Sequence, residues 1–151
     1  MNYEKEVHLI PDLILSFEVS FTGCREKLAD AVDRIMSLVQ TLPCVQGRLE
    51  KLHLALMEAL TNAVIHGNRE DPAKVVTVCA GCDRRAELLI CVTDQGEGFD
   101  SSTLPDPTAA GNMHEGHGRG VFLMRRLVDE VEFNLGGRQV ILRKRTATRK
   151  R

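Results

Sequence analysis

The chain has no excess of charge of either sign: 20 Lys and Arg stand against 21 Asp and Glu, a formal net charge of -1 in 151 residues. So even a balance gives no electrostatic pull toward nucleic acid, and no direct nucleic-acid partner is expected. No stretch reaches the roughly 18 apolar residues of a membrane span, and the N-terminus MNYEKEVHLI has no basic region leading into an apolar core. The chain therefore reads as a cytoplasmic protein without membrane contact. Its cysteines, Cys24, Cys44, Cys79, Cys82 and Cys91, are an odd and scattered set. They make a poor disulfide framework and suit a reducing compartment. Cys79 and Cys82 form a lone C-x-x-C, lacking the second Cys or His pair of a structural zinc site and not placed where a thioredoxin-like pair opens a helix. Two common nucleotide signatures are missing as well. There is no G-x-x-x-x-G-K-[ST], and no G-x-G-x-x-G after the first strand.

The residues that are present, 43% hydrophobic against 27% charged, are enough for one domain with a real core and argue against disorder. That domain is read over 1–151, with its core at about 13–145 and a frayed tail at 146–151. Alternation in LILSFEVSF predicts a strand over Leu13 to Phe21, and Leu28, Val32, Ile35, Met36 and Val39 then set a helical spacing. KVVTVCAG and AELLICVTD read as two strands joined near Cys82 to Arg85. From Gln95 to Gly120 there is no sustained periodicity, which in a stretch so long points to function or mobility. VFLMRRLVDEV resumes as a helix, and VEFNLGGRQVILRK reads as a closing hairpin across Gly136 and Gly137. The tight connection near Cys82 leaves no room for a crossover helix. The fold class is therefore α+β, a mixed and mostly antiparallel sheet with helices on one face.

The helix in HLALMEALTNAVIHGN carries an apolar stripe at Leu52, Leu56, Leu60 and Val64, and puts Glu58, Asn62 and His66 at steps of four on another side. That polar face has small Ala55 and Ala59 beside it and no Lys or Arg from Leu52 to Asn68, so it is built for close approach instead of solvent. Further on, DQGEGFD places Asp94 at a strand end before Gly96 and Gly98. GHGRG places Gly116, Gly118 and Gly120 directly before a helix. Alternate glycines let backbone approach a ligand, and a helix start offers unpaired N–H groups and a positive dipole end to phosphate. A carboxylate beside them accepts a hydrogen bond from an exocyclic amine, which suits a purine.

E-x-x-x-N on a helix, then D-x-G-x-G, then G-x-G-x-G, in that order, resemble the ATP-binding (Bergerat) fold of the GHKL superfamily. More narrowly, EALTNAVIHGN, VTDQGEGFD and GHGRGVFLMRRLVDEV are similar to the bacterial anti-sigma factor serine/threonine kinases, and the resemblance runs from about Leu13 to the last strand. It implies a two-layer α/β sandwich that phosphorylates an anti-sigma factor antagonist and sequesters a sigma factor or similar regulator. The alternative is a catalytically silent ATP-binding module that acts by partner binding. The resemblance also implies ATP and Mg²⁺ as cofactors, Glu58 as general base and Asn62 as the Mg²⁺ ligand. Asp94 would meet the adenine amine, with Gly98 beneath the ring and Gly96 in the same loop. Gly116, Gly118, Arg119 and Gly120 would cradle phosphate, with His66 close by. The loop from Phe99 to Gly116 would form a lid, and the protein would be a homodimer. Relatives often carry a Thr pair in the late strand near the adenine, where this chain has GGRQVIL.

Overall fold

The computed structural model describes residues 13, 15–47, 49–100 and 116–145. Residues 101–115, most of the expected lid, and the tail 146–151 lie outside them. The elements run β1 (Leu15–Thr22), α1 (Leu28–Val39), α2 (Glu50–Thr61), β2 (Val75–Cys82), β3 (Leu88–Thr93), α3 (Gly116–Leu127), β4 (Glu130–Asn134) and β5 (Gln139–Lys144). The five strands form one sheet in the order β1-β2-β3-β5-β4. Every described pairing is antiparallel.

Burial follows the two periodicities. The α1 stripe Leu28, Val32, Ile35, Met36 and Val39 is buried, and so are Leu52, Leu56, Leu60 and Val64 along α2 and its extension. They meet one face of the sheet, through Val76, Val78 and Ala80 of β2, Leu88, Ile90 and Val92 of β3, and Val140 and Leu142 of β5, in a single core. This is the α+β two-layer architecture that the sequence implies. Ala55 and Ala59 are buried too, at 0% and 1% exposed. Ala55 therefore belongs to the packing of α2, while Ala59, packed in the core, also lines the cavity described below.

Two sequence readings are corrected. The glycine cluster lies inside α3, in its first turns, and not in front of it. Glycine's poor helix propensity, about 1 kcal/mol below alanine, hid those turns, and packing of α3 on α2 supplies what propensity lacks. Cys44 and Cys82 form a disulfide across 38 residues, with Cα atoms 5.8 Å apart. Spacing could not show it, because the α1–α2 connection reaches the end of β2 only in the folded chain. The C-x-x-C is also no functional pair: residues three apart in a strand point to opposite faces. Cys82 joins the core and Cys79 remains a free thiol.

At the sheet end near Cys82, Asp83 Oδ1 accepts the N–H groups of Arg85 and Glu87, both at 2.9 Å, and closes the β2–β3 turn. Arg143 of β5 locks that turn by donating from Nη1 to Asp83 at 3.0 Å and to Glu87 at 2.9 Å. The opposite end of β3 delivers Asp94.

Candidate functional site

The end of α2 does not stop as a regular helix. Asn62–Gly67 continues it as a π-turn, with the Asn68 N–H donating to the Ala63 carbonyl at 2.8 Å. Such widened turns recur at functional sites because they swing side chains off the α-helical register. Asn68, 1% exposed, fastens the turn to the sheet. Its Nδ2 donates to the Val75 carbonyl at 2.9 Å, and its Oδ1 accepts the Gln95 N–H at 2.7 Å. Gln95 Oε1 in turn accepts the Val75 N–H at 2.8 Å. The residue after Asp94 is thus held by two elements at once.

A cavity of about 130 Å³ opens between this turn and the sheet. Asn62, Ala63, His66 and Gly67 of the turn line it together with Val92, Asp94, Val140, Gly98, Phe99, Phe133 and Arg138. Asp94 is 9% exposed. Its Oδ1 accepts the Gly96 N–H at 2.8 Å, and its own N–H donates to the Arg138 carbonyl at 2.9 Å. Burial pushes its carboxyl pKa up, opposed by the Gly96 N–H and by the charges of Arg138 and Lys74. A desolvated carboxylate with few partners in a concave site is a feature of ligand-binding groups.

Close approach explains one glycine beside it. A Cβ at Gly67 would overlap the Asp94 carboxylate, so only glycine lets α2 reach the acid. The space at Gly98, which lines the cavity, is taken on its other side by the Gly136 carbonyl.

One turn back along α2, Asn62 and Glu58 point to the start of α3. A Cβ on Gly120 would stand 3.1 Å from both Glu58 Oε2 and Asn62 Nδ2. Bare backbone there brings the helix against the E-x-x-x-N face. The first four N–H groups of α3, those of Gly116 to Arg119, have no intrahelical acceptor and carry the positive end of the helix dipole. Because the helix begins at Gly116, the N–H of Gly120 falls outside that set. Arg119 is exposed.

Of the residues singled out in the sequence, Asn62, His66, Asp94 and Gly98 line the cavity, and Gly96 donates its N–H to Asp94. Glu58 and Asn62 meet Gly120 at the α2–α3 contact, while Gly116 and Gly118 lie in the first turn of α3. Arg119 lies at the helix start but faces outward. Sequence reasoning missed Gly67, Asn68 and Arg138. The first two read as ordinary helix-stop chemistry, and nothing local tells that they support Asp94. Among the described residues no cluster of three His, Cys, Asp or Glu could hold a metal. The Asn62 amide does offer one hard oxygen, which fits Mg²⁺, an ion commonly held by one or two protein groups with phosphates and waters supplying the rest.

Residues 22–144 match the histidine kinase-like ATPase domain. The chain is 32% identical to the anti-sigma F factor of Clostridium acetobutylicum over 136 residues, 86% of this chain and 93% of that protein. It is 29% identical to the anti-sigma F factor of Heyndrickxia coagulans over 76% of this chain and 80% of that protein. With the serine-protein kinase RsbW of Bacillus licheniformis it shares 35% identity over 58% of each chain.

Proposed function

The chain belongs to the histidine kinase-like ATPase family, in its anti-sigma factor kinase branch, and from that premise we propose that it transfers the γ-phosphate of ATP to a serine or threonine of an anti-sigma factor antagonist. It also sequesters a sigma factor or similar regulator. One observation carries the reading: Asn62 lines the same cavity as the buried Asp94 and also stands beside Glu58 under the bare backbone of Gly120. ATP laid along these residues puts its adenine amine on Asp94. Its phosphates then reach the unpaired N–H groups at the start of α3, where dipole and hydrogen bonds both favour anions. Bound Mg²⁺, held by the Asn62 Oδ1, would neutralise phosphate charge. Arg119 adds a cation at the same helix start.

Phosphoryl transfer asks little covalent work of a protein and much positioning. Glu58 is half-buried and open enough for an incoming hydroxyl. Its carboxylate accepts the proton of the serine or threonine. That oxygen then bonds to the γ-phosphorus as the bond to the β–γ bridging oxygen breaks, and ADP departs. Buried Asp94 and the walls of Val92 and Val140 fix the base and so fix where the γ-phosphorus lies. Partner binding, a homodimer and a cytoplasmic site of action complete the proposal. The relatives' names speak for the sigma factor and the kinase activity.

The test is transfer from radiolabelled ATP to a purified antagonist. Glu58→Gln is expected to leave ATP affinity within about two-fold and to lower transfer at least about 100-fold, the usual worth of a general base. Undiminished transfer would remove Glu58 from the chemistry. ATP binding without transfer in the wild-type protein would instead identify a silent ATP-binding regulator.

A further inference from the structure

Arg138 stands at the bend between β4 and β5, and its position is fixed at both ends. Leu135, Gly136 and Gly137 take φ values of 54°, 64° and 91°, a left-handed run that turns the chain back toward the DQG loop. The Arg138 carbonyl then accepts the Asp94 N–H, while its Nε donates to the Leu135 carbonyl at 3.1 Å. The side chain lies across Gly98, with its Cγ 3.3 Å from where a Cβ there would be. Of the Lys and Arg side chains near this end of the cavity, Lys74 acts on the Asp94 charge without lining the cavity, and Arg69 lines it without acting on Asp94. Arg138 does both. Yet among the described residues it forms no ion pair with Asp94 or any other acid. The cavity is thus lined by an acceptor, Asp94, and a donor, Arg138, that are not paired with each other.

We propose that Arg138 is a second base-reading residue of the nucleotide site, donating from its guanidinium to a ring nitrogen of the adenine while Asp94 accepts from the exocyclic amine. Adenine offers that donor beside ring-nitrogen acceptors at N1 and N7. A carboxylate alone reads only the amine. A carboxylate with a guanidinium reads the donor and the acceptor together, and a rigid planar fork suits the task better than an ammonium. The inference rests on the placement of adenine at Asp94 made above.

The measurement is calorimetric titration of the full chain with ATP, 1-deaza-ATP and 7-deaza-ATP, for wild type, Arg138→Met and Arg138→Lys. Wild type should bind one deaza analogue more weakly than ATP, by roughly 10- to 100-fold for a lost hydrogen bond to a charged group. Arg138→Met should weaken ATP by a similar factor and leave the affinity for that same analogue unchanged. Arg138→Lys should fall between. Equal weakening of ATP and both analogues in Arg138→Met would mean that Arg138 only supports the loop, and would overturn the proposal. So would wild-type protein that binds all three nucleotides alike, a result that does not depend on any variant folding. Absence of ATP binding by the wild type would sink the nucleotide reading itself, and this inference with it.

Discussion

Replacing Gly67 with alanine separates what the helix prefers from what the site requires. Gly67 does not occupy the left-handed region, so its backbone can accept alanine, which favours helix by up to about 1 kcal/mol over glycine. The new Cβ, however, would overlap Cγ and Oδ2 of Asp94 and lie 2.8 Å from Oδ1. Relief requires the buried acid to rotate or α2 to withdraw, and overpacking of this kind costs about 1–3 kcal/mol. The net expectation is a loss of about 1–2 kcal/mol, or roughly 2–8 °C in Tm for a domain of this size. A displaced acid also loses its hydrogen bond to the base, so ATP affinity should fall about 10-fold or more. In an Asp94→Ala background the overlapping atoms are gone. The same Gly67→Ala change should there be neutral or stabilising, a coupling of about 1–3 kcal/mol by urea denaturation of the four proteins. An equal cost in both backgrounds would refute the claim that Gly67 is a glycine for the sake of Asp94.

Asn68→Ala leaves the Val75 carbonyl and the Gln95 N–H without their partner; a loss of about 2–4 kcal/mol is expected, with weaker ATP binding because Gln95 follows Asp94, and denaturant melts with titrations check both. Arg143→Ala strips Asp83 and Glu87, whose side chains are only 10% and 13% exposed, of their cation; it should lower stability by about 2 kcal/mol and leave ATP affinity unchanged, since it lies at the other end of β3. The carboxyl pKa of Asp94 is raised by burial, so the native state binds this proton more tightly than the unfolded chain and stability falls as pH rises through that window. Asp94→Asn without nucleotide should therefore melt above wild type at pH 7, with the gap closing as pH falls below the raised pKa toward the ordinary Asp value near 3.9. ATP affinity of the wild type should drop over the same acid range.

The helices and strands were legible because their apolar residues keep strict periods: all five stripe positions of α1 and all four of α2 are buried. Glu58, Asn62 and Asp94 were legible for a different reason, since polar groups repeated on one helix face and a carboxylate beside alternate glycines are local patterns. The start of α3 was not, because glycine propensity opposes a helix that tertiary packing imposes. Nor were the Cys44–Cys82 bond, the Asn68 clamp and the place of Arg138, each of which joins residues separated along the chain. Such pairings have no signature in a single sequence. Ala55 shows the opposite error, where a small residue beside a polar face suggested ligand contact and serves the core instead.

The central claim is that Asp94 anchors ATP in the cavity beneath the π-turn, with Asn62 carrying Mg²⁺ at its other end. Calorimetric titration of the purified chain with ATP, with and without Mg²⁺, beside the Asp94→Asn variant, tests it most directly. The account predicts binding that Mg²⁺ strengthens and that Asp94→Asn weakens by roughly 10- to 100-fold. Equal affinity in the two proteins, or no binding by the wild type, would contradict it.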